Sequence, residues 1–321
     1  MKDFEVRKKI LVILKDKDKE FVSGEAISRK LGFSRAYLWK QIKRLRQEGY
    51  EIKAVPRRGY SLVSLPDKIY GYELADINAE VLGKRNIYYY ESIGSTNDIA
   101  YKLAEDGAME GSVVISESQV SGRGRMRRKW DSPHGGIYLS IILRPEMDIE
   151  ELPCITLVSA LAVVRAVKRI CPLDVKIKWP NDVLIGGRKV CGILTEVKAQ
   201  PGMVDFLILG IGINVNIKKQ DIPAEATSLK IEAEEHIDRK RLLGYMLEEI
   251  EKIYQCLIKE GFSSIRQECK ENLMMLNKRV TINDYNRAVE GVALDIDEKG
   301  LLILQTDDGK CRRIFSGDVK Q

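Results

Sequence analysis

The residues best suited to bind or activate a substrate lie in one basic segment, GRGRMRRKW, at residues 122–130. Glycines let a backbone approach a ligand closely, and arginines bind carboxylate or phosphate oxygens in a bidentate manner. Gly-Arg tracts also occur in tails that bind nucleic acids. Because this tract lies between two apolar segments predicted as strands, we expect a small anionic ligand, covered by a loop that orders on binding. The residues concerned are Gly122, Arg123, Gly124, Arg125, Arg127, Arg128, Lys129 and Trp130.

A second polar cluster lies in KWPNDVLIGGRKVCGILTE, residues 178–196. Pro180 interrupts the strand pattern, so that Asn181 and Asp182 stand where the chain must bend. Lys189 begins the next apolar strand, either as an edge residue that blocks sheet pairing or as a cation that binds a ligand. Strict alternation predicts two faces for this strand, with Lys189, Cys191 and Ile193 on one and Val190, Gly192 and Leu194 on the other.

Composition disfavours several kinds of site. The chain of 321 residues has only two histidines, and its six cysteines form no C-x-x-C pair. Zinc binding and Ser-His or Cys-His catalysis are therefore disfavoured, and no metal-ligand set is predicted. The G-x-G of GIGINVN at residues 210–216 lacks the third glycine of a dinucleotide fingerprint. Isolated thiols, and the lack of signal-peptide or membrane-helix patterns, predict a cytoplasmic protein without membrane contact.

Positive charge is concentrated at the N-terminus. Residues 1–66 contain 17 Lys and Arg against 8 Asp and Glu, whereas the other residues contain 36 against 39. Such an asymmetry indicates that one module meets a polyanion and that the rest does not.

The N-terminal pattern predicts a winged helix-turn-helix. A first helix covers residues 4–14, Ser23 caps a short helix that ends at Gly32, and Ser34 caps a basic helix. A hairpin with arginines at its tip follows, although an ordinary helical domain with a solvated basic face is the alternative. The predicted DNA contacts are Ser23, Ser34, Arg35, Lys40, Lys43, Arg44, Arg57 and Arg58.

The remaining chain alternates strand and helix patterns after a linker at residues 67–82. Residues 175–185 read as one strand, which turns at Gly186-Gly187 into the next. A long, largely buried helix is predicted at residues 152–170. From Lys278 onward, short strands separated by glycine-containing turns predict a small barrel.

These motifs resemble those of bifunctional biotin protein ligases that also repress the biotin operon. The matching motifs are STN (residues 95–97), Q-x-x-G-R-G-R-x-x-R-x-W (119–130), KWPND (178–182), RK-x-x-GIL-x-E (188–196) and G-x-G-I-N (210–214). In the basic module SGE (23–25), LG-x-SRA (31–36) and GYSL (59–62) resemble the family's repressor domain. The resemblance covers essentially the whole chain, and the combination is specific although no single motif is.

The resemblance implies an α+β multidomain fold in three parts. They would be a winged helix-turn-helix DNA-binding domain at residues 1–66, a central biotin- and ATP-binding catalytic domain at 67–273, and an SH3-like C-terminal domain at 274–321. The central domain would be mixed α/β and would resemble class II aminoacyl-tRNA synthetases.

The resemblance also implies a reaction that uses ATP and biotin as substrates, with Mg²⁺. Biotin's carboxylate would attack the α-phosphate of ATP to give biotinoyl-5′-adenylate, and a lysine of a biotin carboxyl-carrier protein would then displace AMP. The adenylate would act as corepressor as well. It would order the loops and promote a homodimer that binds operator DNA.

The same resemblance implies roles for individual residues. Lys189 and Arg125 would be catalytic. Biotin would be bound by Ser95, Thr96, Asn97, Gln119, Gly122, Arg123, Gly124, Arg125 and Lys189. ATP and the adenylate would be bound by Arg125, Arg128, Trp130, Asn181, Asp182, Lys189 and Asn214.

Arg127 departs from the glycine that many family members have, which predicts a stiffer and more positively charged loop. Two other functions stay open from the residues. The chain could be a ligand-sensing regulator without catalysis, which Lys189, Arg123 and Arg125 argue against. It could be a ligase for lipoate, which Gln119 and the basic loop argue against. Arg312 and Arg313 could reach phosphate or be solvated charges on an edge strand.

Overall fold

The computed structural model describes residues 2–17, 19–70, 82, 86–200, 203–284 and 287–320. The chain divides into two compact units, residues 1–73 and 74–321. Most of the predicted linker at 67–82 lies outside the described residues. No described helix is long and apolar enough to cross a membrane.

The first unit is a helix-turn-helix followed by a hairpin, as the sequence predicts. Its elements are α1 (Lys2–Lys15), α2 (Gly24–Leu31), α3 (Arg35–Gln47), β1 (Glu51–Val55) and β2 (Gly59–Ser64). The Ser23 hydroxyl accepts a hydrogen bond from the Glu25 amide and the Ser34 hydroxyl accepts one from the Tyr37 amide, so both predicted N-caps are confirmed. Gly32 ends α2 in the left-handed conformation.

The apolar stripe of α3 builds the core of this unit. Leu38, Ile42 and Leu45 are each at most 1% exposed, because the i, i+4, i+7 spacing puts them on one face of the helix. The basic residues of α3 therefore lie on its remaining faces, where solvent or a ligand can reach them.

The second unit is built on a seven-stranded mixed sheet with the strand order β3-β4-β5-β9-β8-β7-β6. Its strands are β3 (Ile87–Tyr90), β4 (Val113–Ser116), β5 (Ile137–Leu143), β6 (Val175–Lys178), β7 (Asp182–Ile185), β8 (Arg188–Gln200) and β9 (Met203–Ile213). Only the β3–β4 pair among these is parallel.

Five α-helices occur among the described residues of the second unit. They are α4 (Thr96–Glu105), α5 (Leu152–Ile170), α6 (Leu229–Ala233), α7 (Arg239–Glu260) and α8 (Ser263–Asn272). Of these, α4 and α5 pack on the seven-stranded sheet. Helix α5 has the predicted bounds, is buried along most of its length, and packs against α7.

The C-terminal part of the second unit is a five-stranded antiparallel sheet. Its strands are β10 (Arg279–Asp284), β11 (Arg287–Ile296), β12 (Leu302–Gln305), β13 (Cys311–Ile314) and β14 (Asp318–Lys320). The indole of Trp179 is 1% exposed and donates a hydrogen bond of 3.0 Å to the carbonyl of Gly300. This bond ties the turn before β7 to the C-terminal sheet.

Two local predictions about the sheet are wrong. Residues 175–185 form two antiparallel strands, β6 and β7, because Pro180 cannot continue a strand ladder and the chain reverses at Trp179–Asn181. The strict alternation predicted for β8 also fails. The register between β7 and β8 shifts so that Val183 pairs with Cys191 but Leu184 pairs with Lys189. This bulge at Val190 changes which side chains share a face.

Candidate active site

The basic segment folds back on itself over the sheet, and we call residues 122–130 the flap. The Gly124 amide donates to the Arg128 carbonyl at 2.8 Å, and the Trp130 amide donates to the Gly122 carbonyl at 2.9 Å. At the tip, Met126 and Arg127 have φ angles of 54° and 58°. These left-handed angles are costly for residues with a side chain, so the backbone is strained at the tip of the flap.

The flap places Trp130 on the floor of the site. A Cβ added to Gly192 of β8 would lie 2.9 Å from the indole Cζ3, and one added to Gly212 of β9 would lie 2.4 Å from Nε1. Any other residue at these positions would therefore displace the ring. The Trp130 Nε1 atom is buried and has no hydrogen-bond acceptor among the described residues. A ligand oxygen or water could fill that role.

Lys189 faces the same space as Trp130. Its Nζ atom lies 2.7 Å from Asp182 Oδ1 and 5.2 Å from the centre of the Trp130 ring. A Cβ added to Gly192 would lie 3.4 Å from this Nζ atom, so Lys189 and Gly192 share a face. The predicted alternation is therefore wrong at Lys189, because the bulge at Val190 brings this side chain to the face of β8 that lines the site.

The opposite end of the site is a polar cradle around Gln119. Its Oε1 atom accepts hydrogen bonds from the Thr96 amide at 2.7 Å and hydroxyl at 3.1 Å, and its Nε2 atom donates to Ser132 Oγ at 2.9 Å. Ser95 occupies the N-cap position of α4, but its hydroxyl makes no capping hydrogen bond. The cradle contains both donors and acceptors, as recognition of an amide-like group requires.

Asn97 connects this cradle to an acidic cluster. Its Oδ1 atom accepts from Ser140 Oγ at 2.6 Å, and its Nδ2 atom donates to Glu196 Oε2 at 2.7 Å. Arg123 of the flap is held by two carboxylates, with Nη2 at 2.8 Å from Glu196 and at 2.6 Å from Asp98. Arg123 therefore fastens one side of the flap to α4 and β8.

The other flap cations have different partners. Arg125 Nη1 donates to Asn181 Oδ1 at 2.8 Å. Arg128 pairs with Asp318 of the C-terminal sheet, and this hydrogen bond raises the pKa of the arginine. Arg127 is exposed and makes no ion pair with any residue in the described part of the chain.

The flap, the cradle and Lys189 enclose one cavity of about 120 Å³. It is lined by most of the predicted ligand residues, namely Ser95, Thr96, Asn97, Gln119, Arg123, Gly124, Arg125, Arg128, Trp130, Asn181, Asp182 and Lys189. Two predicted residues do not line it. Gly122, the first residue of the flap, is buried against its other end, where an added Cβ would be 2.5 Å from the Trp130 carbonyl oxygen. Asn214 is 5% exposed and donates to the Thr227 carbonyl at 3.0 Å.

Sequence reasoning missed several residues that line or organise the cavity. Gly192, Gly210, Gly212 and Asp318 line it, and Glu196 and Asp98 hold Arg123. The available signal was the set of quoted motifs, which contains Gly192, Glu196, Gly210 and Gly212. No sequence motif pointed to Asp318 or Asp98 as a partner of the flap, because only the fold brings them there. No cluster of three or more His, Cys, Asp or Glu suited to a metal occurs among the described residues.

The predicted DNA contacts occupy the first unit. Arg35, Lys40, Lys43, Arg57 and Arg58 are exposed. Ser23 and Ser34 are exposed caps whose hydroxyls already accept backbone hydrogen bonds. Arg44 is paired with Asp3 at 2.8 Å, and the same carboxylate accepts a hydrogen bond of 2.5 Å from the Tyr37 hydroxyl. That hydrogen bond is the main cause of a lowered pKa for Asp3.

Three family models match this chain. The Biotin/lipoate A/B protein ligase family matches residues 89–214, an HTH domain matches 6–61, and the Biotin protein ligase C terminal domain matches 275–320. The chain is 39% identical to the Bifunctional ligase/repressor BirA of Bacillus subtilis, over 98% of both chains. This chain belongs to the family of bifunctional biotin protein ligases and repressors.

Other members of the family agree with this assignment. The chain is 30% identical to the Bifunctional ligase/repressor BirA of Escherichia coli, over 99% of this chain and 98% of that protein. Among solved structures, the biotin protein ligase from Aquifex aeolicus in complex with biotin and ATP is similar with a TM-score of 0.64 and 30% identity. That similarity covers 74% of this chain and 98% of the Aquifex protein.

Proposed function

We propose that this protein joins biotin to AMP, transfers the biotinoyl group to a lysine of a biotin carboxyl-carrier domain, and represses a biotin operon through its helix-turn-helix unit. One observation carries the enzymatic part. A single cavity brings the cations Lys189 and Arg125 together with the donor and acceptor groups around Gln119. The family membership of the whole chain supports both activities.

The polar cradle suits the ureido ring of biotin. A ureido group has two N–H donors and one carbonyl acceptor, and the Ser95 hydroxyl and the Gln119 amide offer complementary atoms. The Gln119 amide is held by Thr96 and Ser132, so its orientation is set before the ligand arrives. Such preorganisation lowers the cost of binding.

The cationic end of the cavity suits the activation step. A biotin carboxylate oxygen attacks the α-phosphorus of ATP, the bond to the β-phosphate oxygen breaks, and pyrophosphate leaves. Two anions must approach each other, so Lys189 and Arg125 offset their repulsion and stabilise charge that develops on the phosphate. Lys189 is held by Asp182 at 2.7 Å, which fixes its ammonium group at this end of the cavity.

In the second step the acceptor's lysine amine attacks the carbonyl carbon of the mixed anhydride. The amine loses a proton and AMP leaves with the bonding electron pair. No protein nucleophile is needed, which agrees with the scarcity of histidine in the chain. Arg125 has the further role of retaining the reactive adenylate until the acceptor arrives.

The cavity of about 120 Å³ adjoins a second one of about 270 Å³, and Arg125, Asn181 and Ile193 line both. Sites for ligands as large as the adenylate are on the order of 300 Å³ or more, so the adenylate would extend across the two. The indole of Trp130 fills the floor between Gly192 and Gly212. The flap would close over the intermediate with Trp130 near the adenine.

Mg²⁺ fits the oxygen donors at the cationic end. This metal is commonly held by one or two carboxylates together with substrate phosphates, so a three-carboxylate cluster is not required. Asp182, with Asn181 beside it, would hold the ion, and the ion would neutralise phosphate charge. Asn214 would support the nucleotide side from its position at the end of β9, through its bond to Thr227.

The finer architecture belongs to the same proposal. The domains would be residues 1–66, 67–273 and 274–321, with a class II synthetase-like central sheet and an SH3-like C-terminal barrel. Adenylate binding would order the flap and promote a homodimer, so that two winged units meet a palindromic operator. The protein would act in the cytoplasm.

The enzymatic proposal is tested by incubating the protein with ATP, Mg²⁺, biotin and a carrier domain, and then weighing the carrier. We expect a mass gain of one biotinoyl group. A gain with lipoate but not with biotin would favour the lipoate ligase. Tight biotin binding with no adenylate formed would favour a ligand-sensing regulator.

The DNA-binding proposal is tested by the salt dependence of duplex affinity, measured with and without biotin and ATP. Each exposed cation that reaches a phosphate should steepen the log–log slope by about 0.9. We expect a steep slope, tighter binding with both ligands, and a dimer in sedimentation experiments under the same conditions. A shallow slope would favour a solvated basic face without DNA function.

A further inference from the structure

The outward face of α3 has an apolar centre within a ring of cations. The indole of Trp39 is 56% exposed, although the side chains on the inner face of the same helix are buried. Lys43 holds its Nζ atom 5.5 Å from the centre of this indole. Ala36, three residues before Trp39, is also exposed. The cations on this face are Arg35, Lys40 and Lys43.

An exposed indole of this kind offers apolar area that a partner surface can bury. Burying an aromatic side chain removes a large apolar area from water, so leaving it exposed forgoes that stabilisation. Helix α3 has no acidic residue in RAYLWKQIKRLRQ. A partner that covers Trp39 must therefore present negative charge around a small apolar contact, which disfavours an ordinary apolar protein surface.

A DNA major groove has this combination of properties. Phosphates flank the groove, and each thymine places a C5-methyl group on its floor. In a helix-turn-helix, residues in the N-terminal half of the recognition helix reach the base edges. Trp39 is the fifth residue of α3, and the neighbouring cations are placed to contact backbone phosphates.

We infer that Trp39 reads the C5-methyl group of a thymine in each operator half-site, with Ala36 lining the same apolar contact. This inference rests on the proposed repressor function and adds a sequence-determining residue to it. The cations around Trp39 set position and affinity without sequence preference, whereas the indole discriminates thymine from the other bases.

The test begins with selection of bound sequences from a random duplex library by the full-length protein with biotin and ATP. Each thymine of the selected half-site is then replaced by deoxyuridine, which removes only the methyl group. We expect a loss of about fourfold at one position per half-site, as one buried methyl group predicts. Trp39→Ala should bind the thymine duplex more weakly and lose this sensitivity to uracil.

Three further variants separate base reading from other effects. Lys43→Ala should weaken binding to all duplexes and reduce the salt slope by about one, with the uracil sensitivity retained. Val12→Ala removes an apolar side chain that is 51% exposed elsewhere in the same unit and should change neither property. Trp39→Phe should keep part of the uracil sensitivity, which covers the case in which Trp39→Ala is unstable.

The possible failures are distinguishable. If the wild-type protein binds its selected duplex but deoxyuridine is neutral at every thymine, the inference is overturned and the repressor function stands. If Trp39→Phe and Trp39→Ala bind DNA normally but no longer self-associate, Trp39 belongs to a protein interface instead, and the inference is again overturned. If the wild-type protein binds no duplex, the repressor function and the inference both fail.

Discussion

The indole of Trp130 lies against the backbone of Gly212, so closely that an added Cβ would stand 2.4 Å from Nε1. This contact sets the height of the flap above the sheet. Because β9 carries no side chain at this point, a large ring from a loop can form the floor of the cavity.

Gly212→Ala is therefore expected to push Trp130 off the sheet and to prevent the flap from closing. We predict at least a tenfold loss of adenylate formation, measured as biotin-dependent pyrophosphate release, with little change in the melting temperature. The double variant with Trp130→Ala provides the control. In that background, Gly212→Ala should have almost no further effect, since the clashing atoms are gone. Additive losses would contradict the contact.

Replacing Arg127 should show the cost of its left-handed backbone. Arg127 has a φ angle of 58°, so Arg127→Gly relieves backbone strain of about 1 kcal/mol that Arg127→Ala retains. Both variants remove the same charge. We expect the adenylate to dissociate several-fold more slowly from the glycine variant than from the alanine variant. The dissociation rates are measured by the release of radiolabelled adenylate. Equal rates for the two variants would show that the tip is not strained in the closed flap.

Removal of Arg125 should release the intermediate. Its guanidinium group lines the cavity and bonds Asn181, and a hydrogen bond to a charged group is worth about 1.5–3 kcal/mol. We predict that Arg125→Gly raises the adenylate dissociation rate by about tenfold to a hundredfold and labels bystander lysines in a protein mixture. Arg127→Ala is the control on the same flap. A variant that retains the adenylate as tightly as wild type would disprove the retention role.

The pair between Arg128 and Asp318 links the flap to the C-terminal sheet. Both side chains are partly exposed, so the pair should contribute only about 0.2–1 kcal/mol to flap closure. Asp318→Asn should therefore raise the KM for ATP or the adenylate dissociation rate by about two- to fivefold. Arg128→Ala should have a similar effect, and the double variant should be no worse. Independent losses would mean that the two residues do not act as a pair.

Asp3 should limit DNA binding by holding Arg44. The carboxylate pairs with that guanidinium at 2.8 Å, so the arginine is not fully available to phosphate. We expect Asp3→Asn to increase duplex affinity and to steepen its salt slope, as one more cation is released for DNA. Glu5→Gln, which removes a nearby acid of α1, serves as control. An unchanged slope would show that Arg44 has no phosphate contact.

Much of the fold follows from local pattern. The apolar stripe of α3, the caps at Ser23 and Ser34, the bounds of α5 and the apolar strand β5 were all predictable, because each depends on residues close in sequence. The bend at Pro180 was predicted, but its reversal of the chain into an antiparallel pair was not, because a bent strand and a tight hairpin share the same apolar residues on either side of Pro180.

The candidate site was predictable as a set of residues but not as a geometry. The face of β8 that carries Lys189 was assigned wrongly, since a single bulge at Val190 shifts the alternation and leaves no mark in the residue types. The glycines under Trp130 were visible in the motifs, yet nothing local indicated that an indole would cover them.

The sequence by itself determined the chemical inventory of this protein: a basic N-terminal module, a glycine-rich cationic segment, a lysine-bearing strand, and a scarcity of histidine that disfavours Ser-His or Cys-His catalysis. Composition and short-range spacing are sufficient for those statements. Only the tertiary structure decided which carboxylates hold the cations. Asp98, Glu196 and Asp318 reach Arg123 and Arg128 across separations of 25 to 190 residues. Pairings at such distances depend on strand order and register, and these are settled by the packing of the whole chain.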